Sequence, residues 1–195
     1  MIGSVGVAMA TPQQDPDALR LAGVDGVAGV DGVAGVDAVA YRRAVGRFVT
    51  GVTILTTYID GRHHGITANS FTSVSLDPVL VLVSIEKIAR FHDEVLRSGV
   101  LGVSVLGAQD EAVSRHFARR GRPETDDQFD LAPHAPGPVT GCILLDRALA
   151  TLECRVHSRA DGGDHTLVVA EVLAVAEPHP TGPPLLYHEG GYRSL

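Results

Sequence analysis

The spacing of apolar and polar positions changes several times along this 195-residue chain, and each change marks an element. After Asp37, a good N-cap residue, Tyr41, Val45, Phe48 and Val52 recur at helical intervals, with Arg42, Arg43 and Arg47 on other faces. That pattern predicts an amphipathic helix of about three turns, ending near Gly51. The β-branched run Val52–Tyr58 predicts a strand, and Asp60-Gly61 a hairpin turn. Further strands are predicted over 65–71, 79–85 and 100–106, with short helices over Arg90–Arg97, ended by Gly99, and Asp110–Phe117. Residues 118–130 read as a polar loop, and Pro133, Pro136 and Pro138 keep the chain irregular to Gly141. Strand patterns return at Cys142–Leu145, Ala148–Ser158 and His165–Ala176, the last two joined through Asp161-Gly162-Gly163-Asp164. Leu185–His188 and Tyr192 are expected to finish the sheet.

Those elements give about seven strands, mostly joined by hairpins. They do not alternate strand and helix as a doubly wound fold does. The expected fold class is mainly β, an antiparallel barrel with a few peripheral helices. Residues 1–36 are of another kind. The segment Gly23–Ala40 repeats GVDGVA, GVDGVA, GVDAVA, without bulky side chains to bury, so a flexible tail is expected before a folded domain spanning 37–195.

A single stretch of that domain stands out. Thr67-Ala68-Asn69-Ser70-Phe71-Thr72-Ser73-Val74-Ser75 places five hydroxyls and one carboxamide in nine residues. Such a ledge of small donors and acceptors suits a polar ligand, and it equally suits a half-buried strand with nothing bound. The turn Asp77-Pro78 joins it to Val79–Ile85, apolar enough to be read as covered on both faces.

Composition narrows the function. The formal net charge is −7, with no basic run, which argues against nucleic acid and anionic membrane as partners. No apolar run approaches the ~20 residues a membrane helix needs. No secretion signal is evident, so a cytoplasmic protein is expected, with Cys142 and Cys154 as free thiols. The nine histidines form no zinc-spaced motif, and the adjacent His63 and His64 point to opposite faces of a strand, so no metal site is expected. Gly102-Val103-Ser104-Val105-Leu106-Gly107 misses the hydrolase elbow by one residue. Neither dinucleotide glycine fingerprint nor phosphate loop is present, so any nucleotide must be held by another device.

Taken in order, Phe48–Thr57, Thr67–Phe71 and Ser73–Pro78 resemble the flavin reductase family, the small reductase components of two-component flavin monooxygenases. The resemblance continues through Val103–Leu106 with Gln109, Phe117-Ala118, Phe129, Leu152-Glu153-Cys154, Gly163-Asp164-His165 and Pro184–Tyr187 with Gly191-Tyr192. It implies a flavin-binding split barrel, a homodimer, FMN or FAD, NADH or NADPH as hydride donor, and a partner monooxygenase reached by diffusing reduced flavin. It implies that Thr67, Ala68, Asn69, Ser70, Ser73, Val74 and Ser75 line the flavin ring and ribityl chain. Ser84, Lys87 and Arg90 should face its phosphate, and His165 and Tyr192 should lie near the nicotinamide. No side chain is expected to be an essential acid or base. A flavin edge suits short donors, and Lys87 and Arg90, three apart at a helix start, suit a phosphate held without a glycine loop. On residue type alone Lys87 and Arg90 also fit a solvated basic pair, His165 a solvent-satisfied hairpin residue, and Tyr192 a cover for the barrel end. Where the family carries serines between Lys87 and Arg90, this chain has Ile88-Ala89. That departure motivates an alternative, a flavin- or haem-binding split barrel without reductase turnover.

Overall fold

Strand β2 (Thr53–Ile59) is buried on both faces, and the rest of the domain is laid around it. Ile54 enters one apolar cluster with Val52, Leu106, Phe117, Phe129 and Leu185, while Leu55 enters a second with Val83, Phe91, Val95, Val103 and Val168. Successive strand side chains point to opposite faces, so one strand serves two cores. The computed structural model describes residues 35–122, 125–179 and 181–194. The expected flexible tail falls almost wholly on residues 1–34, outside the described residues.

The helices are α1 (Ala38–Val45), α2 (Arg90–Ser98) and α3 (Glu111–Phe117), and short 3-10 turns precede α3 and cover Asp126–Phe129. Around β2 lie β3 (Arg62–Ala68), β4 (Thr72–Leu76), β5 (Val79–Glu86), β6 (Val100–Val105), β9 (Ala150–Gly162) and β10 (His165–Ala176). They form one seven-stranded sheet in the order β3-β2-β6-β9-β10-β5-β4, antiparallel at every pairing. Among the described residues the edges β3 and β4 do not pair with each other. Instead Ile66, Ala68 and Phe71 pack on the same core as Val81 and Val83. The sheet is thus a split barrel, closed there by side chains rather than by a hydrogen-bonded ladder. Asp60 and Gly61, at φ 52° and 75°, make the tight β2–β3 turn, and the left-handed region is what this dipeptide tolerates.

Several expectations change. The first helix stops at Val45, where the Gly46 N–H bonds back to Arg42. It therefore has two turns, and Val52 belongs to the barrel core instead. Among the described residues its apolar side is left uncovered: Tyr41 is 58% exposed, and Phe48, just past the helix, 74%. Strand β5 is covered on one face only. Val81, Val83 and Ile85 are buried in the core, while Leu80, Leu82 and Ser84, on the opposite face, are half-buried. The C-terminal hairpin β11 (Leu185–His188) and β12 (Gly191–Ser194) does not extend the barrel. It joins β1 (Thr50–Gly51) in a separate three-stranded sheet. The proline-rich segment contains β7 (His134–Pro136), which pairs with β8 (Ile143–Leu145). The loop over 118–130 buries Gln128 and Phe129.

Candidate functional site

Strand β3 runs along one flank of the barrel, and two adjoining cavities open beside it. They share Ile66, Thr67, Asn69 and Glu86 as walls. The larger, about 800 Å³, reaches the start of α2 at Ala89, Arg90 and Phe91 and the segment Phe117–Arg122. The smaller, about 240 Å³, is bounded by Ala68, Ser70, Ser84 and His165. Gly65 makes the close approach possible, since a Cβ there would come within 2.9 Å of the Phe117 ring.

Three hydroxyls of the ledge find partners inside the chain. The Thr67 hydroxyl donates to the Ser114 carbonyl of α3 at 2.7 Å. The Ser70 hydroxyl donates to the Ser84 carbonyl at 2.9 Å and accepts from the Ser84 N–H at 3.1 Å. Ser75 Oγ accepts from the Asp77 N–H. The Thr67 and Ser70 hydroxyls tie the β3 segment to α3 and to β5, so their protons are committed inside the chain. The cavities are left the backbone edge of β3, the carboxamide of Asn69 and the hydroxyl of Ser84 as free polar surface.

The expected basic pair is separated. Arg90 opens α2 and lines the larger cavity, but Lys87 lies in the turn before the helix. There it pairs with Asp161 on the β9–β10 hairpin, and its ammonium holds that carboxyl below the usual range. Helical spacing does not apply because the helix has not yet begun at Lys87. Ser73, Val74 and Ser75 sit on the edge strand β4 and border neither cavity. His165 borders the smaller cavity, with Nδ1 2.7 Å from Asp164 Oδ1. Tyr192 lies behind the site: its Oη accepts from the Ser114 hydroxyl at 2.8 Å, its ring packs on Tyr187, and Arg115 stacks over it at 4.7 Å. Thus Thr67, Ala68, Asn69, Ser70, Ser84, Arg90 and His165 are brought together, and Ser73, Val74, Ser75, Lys87 and Tyr192 are not.

Behind Arg90 lies a buried polar cluster that sequence reasoning missed. Glu94 Oε1 accepts from Arg90 Nε at 3.0 Å and lies 2.9 Å from His64 Nδ1, with Glu94 and His64 both under 10% exposed. An ionised carboxylate only accepts, so His64 Nδ1 carries the proton of that contact. The i,i+4 spacing of Arg90 and Glu94 was visible in the sequence, but the approach of His64 from β3 was not. Also missed were Glu86 and the arginines of the 117–122 segment. Their charges were visible, but nothing local placed them against β3.

The start of α2 is chemically open. Its N-cap is Ala89, in extended conformation, with no side-chain cap for the first-turn amides. The His92 N–H bonds to the Ala89 carbonyl, so the amides of Arg90 and Phe91 remain, and with the Arg90 guanidinium they border the larger cavity, which fits a phosphate. Among the described residues no group of three or more His, Cys, Asp or Glu gathers as metal ligands would. Cys142 and Cys154 are both buried and unpaired with each other.

A split antiparallel barrel with a nucleotide-sized, cation-lined groove on its flank defines a flavin-binding split-barrel protein. The chain belongs to the flavin reductase family: the model of the flavin reductase like domain matches residues 45–195. It is 42% identical over 153 residues to an NADH-dependent FAD reductase of Streptomyces globisporus, covering 78% of this chain and 82% of that protein. It is 38% identical over 156 residues to the reductase component of 4-hydroxyphenylacetate 3-monooxygenase of Thermus thermophilus, covering 80% and 95%. Among solved structures it resembles BorF, the flavin reductase component of a bacterial two-component tryptophan halogenase. There the TM-score is 0.77 and the identity 42%, over 82% of this chain and 98% of that one.

Proposed function

We propose that this protein is an NAD(P)H-dependent flavin reductase that supplies reduced FMN or FAD to a separate monooxygenase. The observation that carries the reading is the groove itself, with the exposed polar edge of β3 on one side and an uncapped helix start with Arg90 at its end. The bound groups supply the chemistry, hydride transfer from a nicotinamide to a flavin ring. The chain's task is to hold two rings in register and keep them there.

Residues divide that task by position. The backbone of Thr67–Ser70, with Asn69 and Ser84, meets the polar edge of the flavin. Arg90 and the first-turn amides of α2 take the phosphate, while Lys87 stays paired with Asp161 outside the groove. His165, at the mouth of the smaller cavity, orients the nicotinamide. Tyr192 acts at one remove by fixing Ser114, and through it Thr67. No side chain is assigned a proton to give or take. The Ile88-Ala89 departure removes hydroxyls but leaves the helix amides open, so the phosphate site survives it. Residues 37–195 would form the functional domain, and the enzyme would work in the cytoplasm.

The assembly we infer is a homodimer. Val39, Tyr41, Val45, Phe48 and Val49 are exposed around α1, and Val74, Leu76 and Val79 around the β4 edge. Apolar groupings of this kind normally meet a partner, and a second copy is the occupant the family resemblance supports. Phe48→Glu should shift the species seen by light scattering toward monomer, and an unchanged wild-type mass equal to one chain would refute the dimer. The function is tested by adding NADH or NADPH anaerobically to purified protein with FMN or FAD. Bleaching of the flavin band at a protein-dependent rate is expected. No oxidation of either nicotinamide with either flavin would refute the proposal.

A further inference from the structure

The larger cavity carries more positive charge than one phosphate needs. Its lining holds four guanidinium groups, Arg90, Arg119, Arg120 and Arg122, and one carboxylate, Glu86. The whole chain has a formal charge of −7, so this local excess is set against the protein's own balance.

The four arginines have different tasks. Arg122 is a staple: it donates to the carbonyls of Phe117 and Gly65 and lies 4.9 Å over the Phe117 ring. It thereby fixes the segment after α3 to β3. Arg90 is held from behind by Glu94. Arg119 and Arg120 line the same cavity and remain exposed. Arg120 directs Nη2 onto both oxygens of Glu86, at 3.0 and 2.8 Å. Its Nη1 and Nε make no protein hydrogen bond among the described residues, and Arg119 has no ion pair among them. The Arg120–Glu86 pair thus links the 117–122 segment to the end of β5, at the wall the two cavities share.

We propose that Arg119 and Arg120 form a second anion-binding wall of this cavity, which takes the diphosphate of an adenine dinucleotide. The inference rests on the reductase reading and extends it. Arg90 and the amides of α2 satisfy a mononucleotide phosphate, so two further exposed guanidiniums on a separate, stapled segment call for a further phosphate. Guanidinium forks match phosphate oxygens well, and Arg120 keeps donors for them while still paired. The cavity, about 800 Å³, lies toward the upper end of the usual ligand range of roughly 300–1,000 Å³. Glu86 opposes the bound anion and competes with it for Arg120. Two sources share this chemistry, FAD and the nicotinamide dinucleotide. FAD is favoured because the site is continuous with the wall assigned to the flavin.

The test measures dissociation constants for FMN and FAD by flavin fluorescence, and for ADP and NADH by calorimetry. The proteins are wild type, the double variant Arg119→Ser/Arg120→Ser, and Glu86→Gln. In the double variant FAD should weaken about tenfold, the scale of one charge-assisted hydrogen bond, while FMN changes less than about threefold. In Glu86→Gln, FAD should bind several-fold more tightly. A misfolded protein cannot produce opposite shifts in the two variants. If NADH and ADP weaken and FAD does not, the wall holds a diphosphate as proposed, and its source is the hydride donor. If FMN weakens as much as FAD, or no ligand responds, the proposal is overturned. A wild-type protein that binds neither flavin would refute the reductase reading itself, before the variants are compared.

Discussion

Removing the Glu94 carboxylate should cost stability and ligand affinity together, because one oxygen holds two donors. In Glu94→Ala, His64 Nδ1 loses an acceptor 2.9 Å away inside the protein. A hydrogen bond to a charged partner is worth about 1.5–3 kcal/mol, and the burial of this one puts it in the upper part of that range. Arg90 is 63% exposed, so its bond to Glu94 is screened and adds only about 0.3–0.5 kcal/mol. The expected loss is therefore about 3 kcal/mol, at the lower end of the roughly 3–5 kcal/mol typical of breaking a fully buried pair. For a domain of this size that corresponds to a fall in Tm of roughly 6–12 °C. Glu94→Gln retains a carbonyl acceptor and should recover about half of the loss. The assay is thermal unfolding of flavin-free protein, followed by titration with FMN at a temperature where every variant is folded. Arg90 without its rear anchor should bind the phosphate several-fold more weakly, while the rate at saturating flavin stays unchanged. A Tm within about 2 °C of wild type would refute the assignment of this carboxylate as a buried anchor. Unchanged FMN affinity in a destabilised variant would refute its link to the site.

Three other outcomes follow from local chemistry. Ala89→Ser places a side-chain cap on the open start of α2 and should stabilise flavin-free protein by about 1 kcal/mol, read by denaturant midpoint; no gain would mean those amides are already satisfied. Burial, and then Arg122 and Arg119, push the His116 imidazole below its ordinary value of 6.5. The unfolded chain therefore binds that proton more readily, stability falls as pH drops through about 6.5, and His116→Gln should flatten the fall in Tm between neutral and mildly acidic pH. Burial pushes the Cys154 thiol up to about 12 and raises Cys142 as well, so neither should react with a thiol reagent until the protein unfolds; fast labelling of native protein would contradict the packing around β9.

The strands and helices were legible where the pattern is local. Asp60-Gly61 announces its turn, Gly99 ends α2 as expected, in the left-handed conformation, and the Val52–Tyr58 run is a strand. The serine- and threonine-rich ledge was also visible, but the partners of its hydroxyls were not. A hydroxyl's partner depends on what folds against it, and Ser114 and Ser84 are far from Thr67 and Ser70 in sequence. Lys87 and Arg90 look alike in sequence and diverge in space, because the helix begins between them.

What the sequence determined on its own is the set of elements, the antiparallel connectivity and the ordered motifs of a flavin reductase. Each depends on neighbours a few residues apart or on a short motif in order. Only the tertiary structure decided which polar groups meet: Arg120 against Glu86, His64 against Glu94, Tyr192 against Ser114. Those contacts join residues tens of positions apart, and the chain's curl around β2 brings them to one flank. Chain folding also decided which apolar faces remain uncovered. The same helical stripe at α1 reads identically in sequence whether its cover is this chain's core or another molecule.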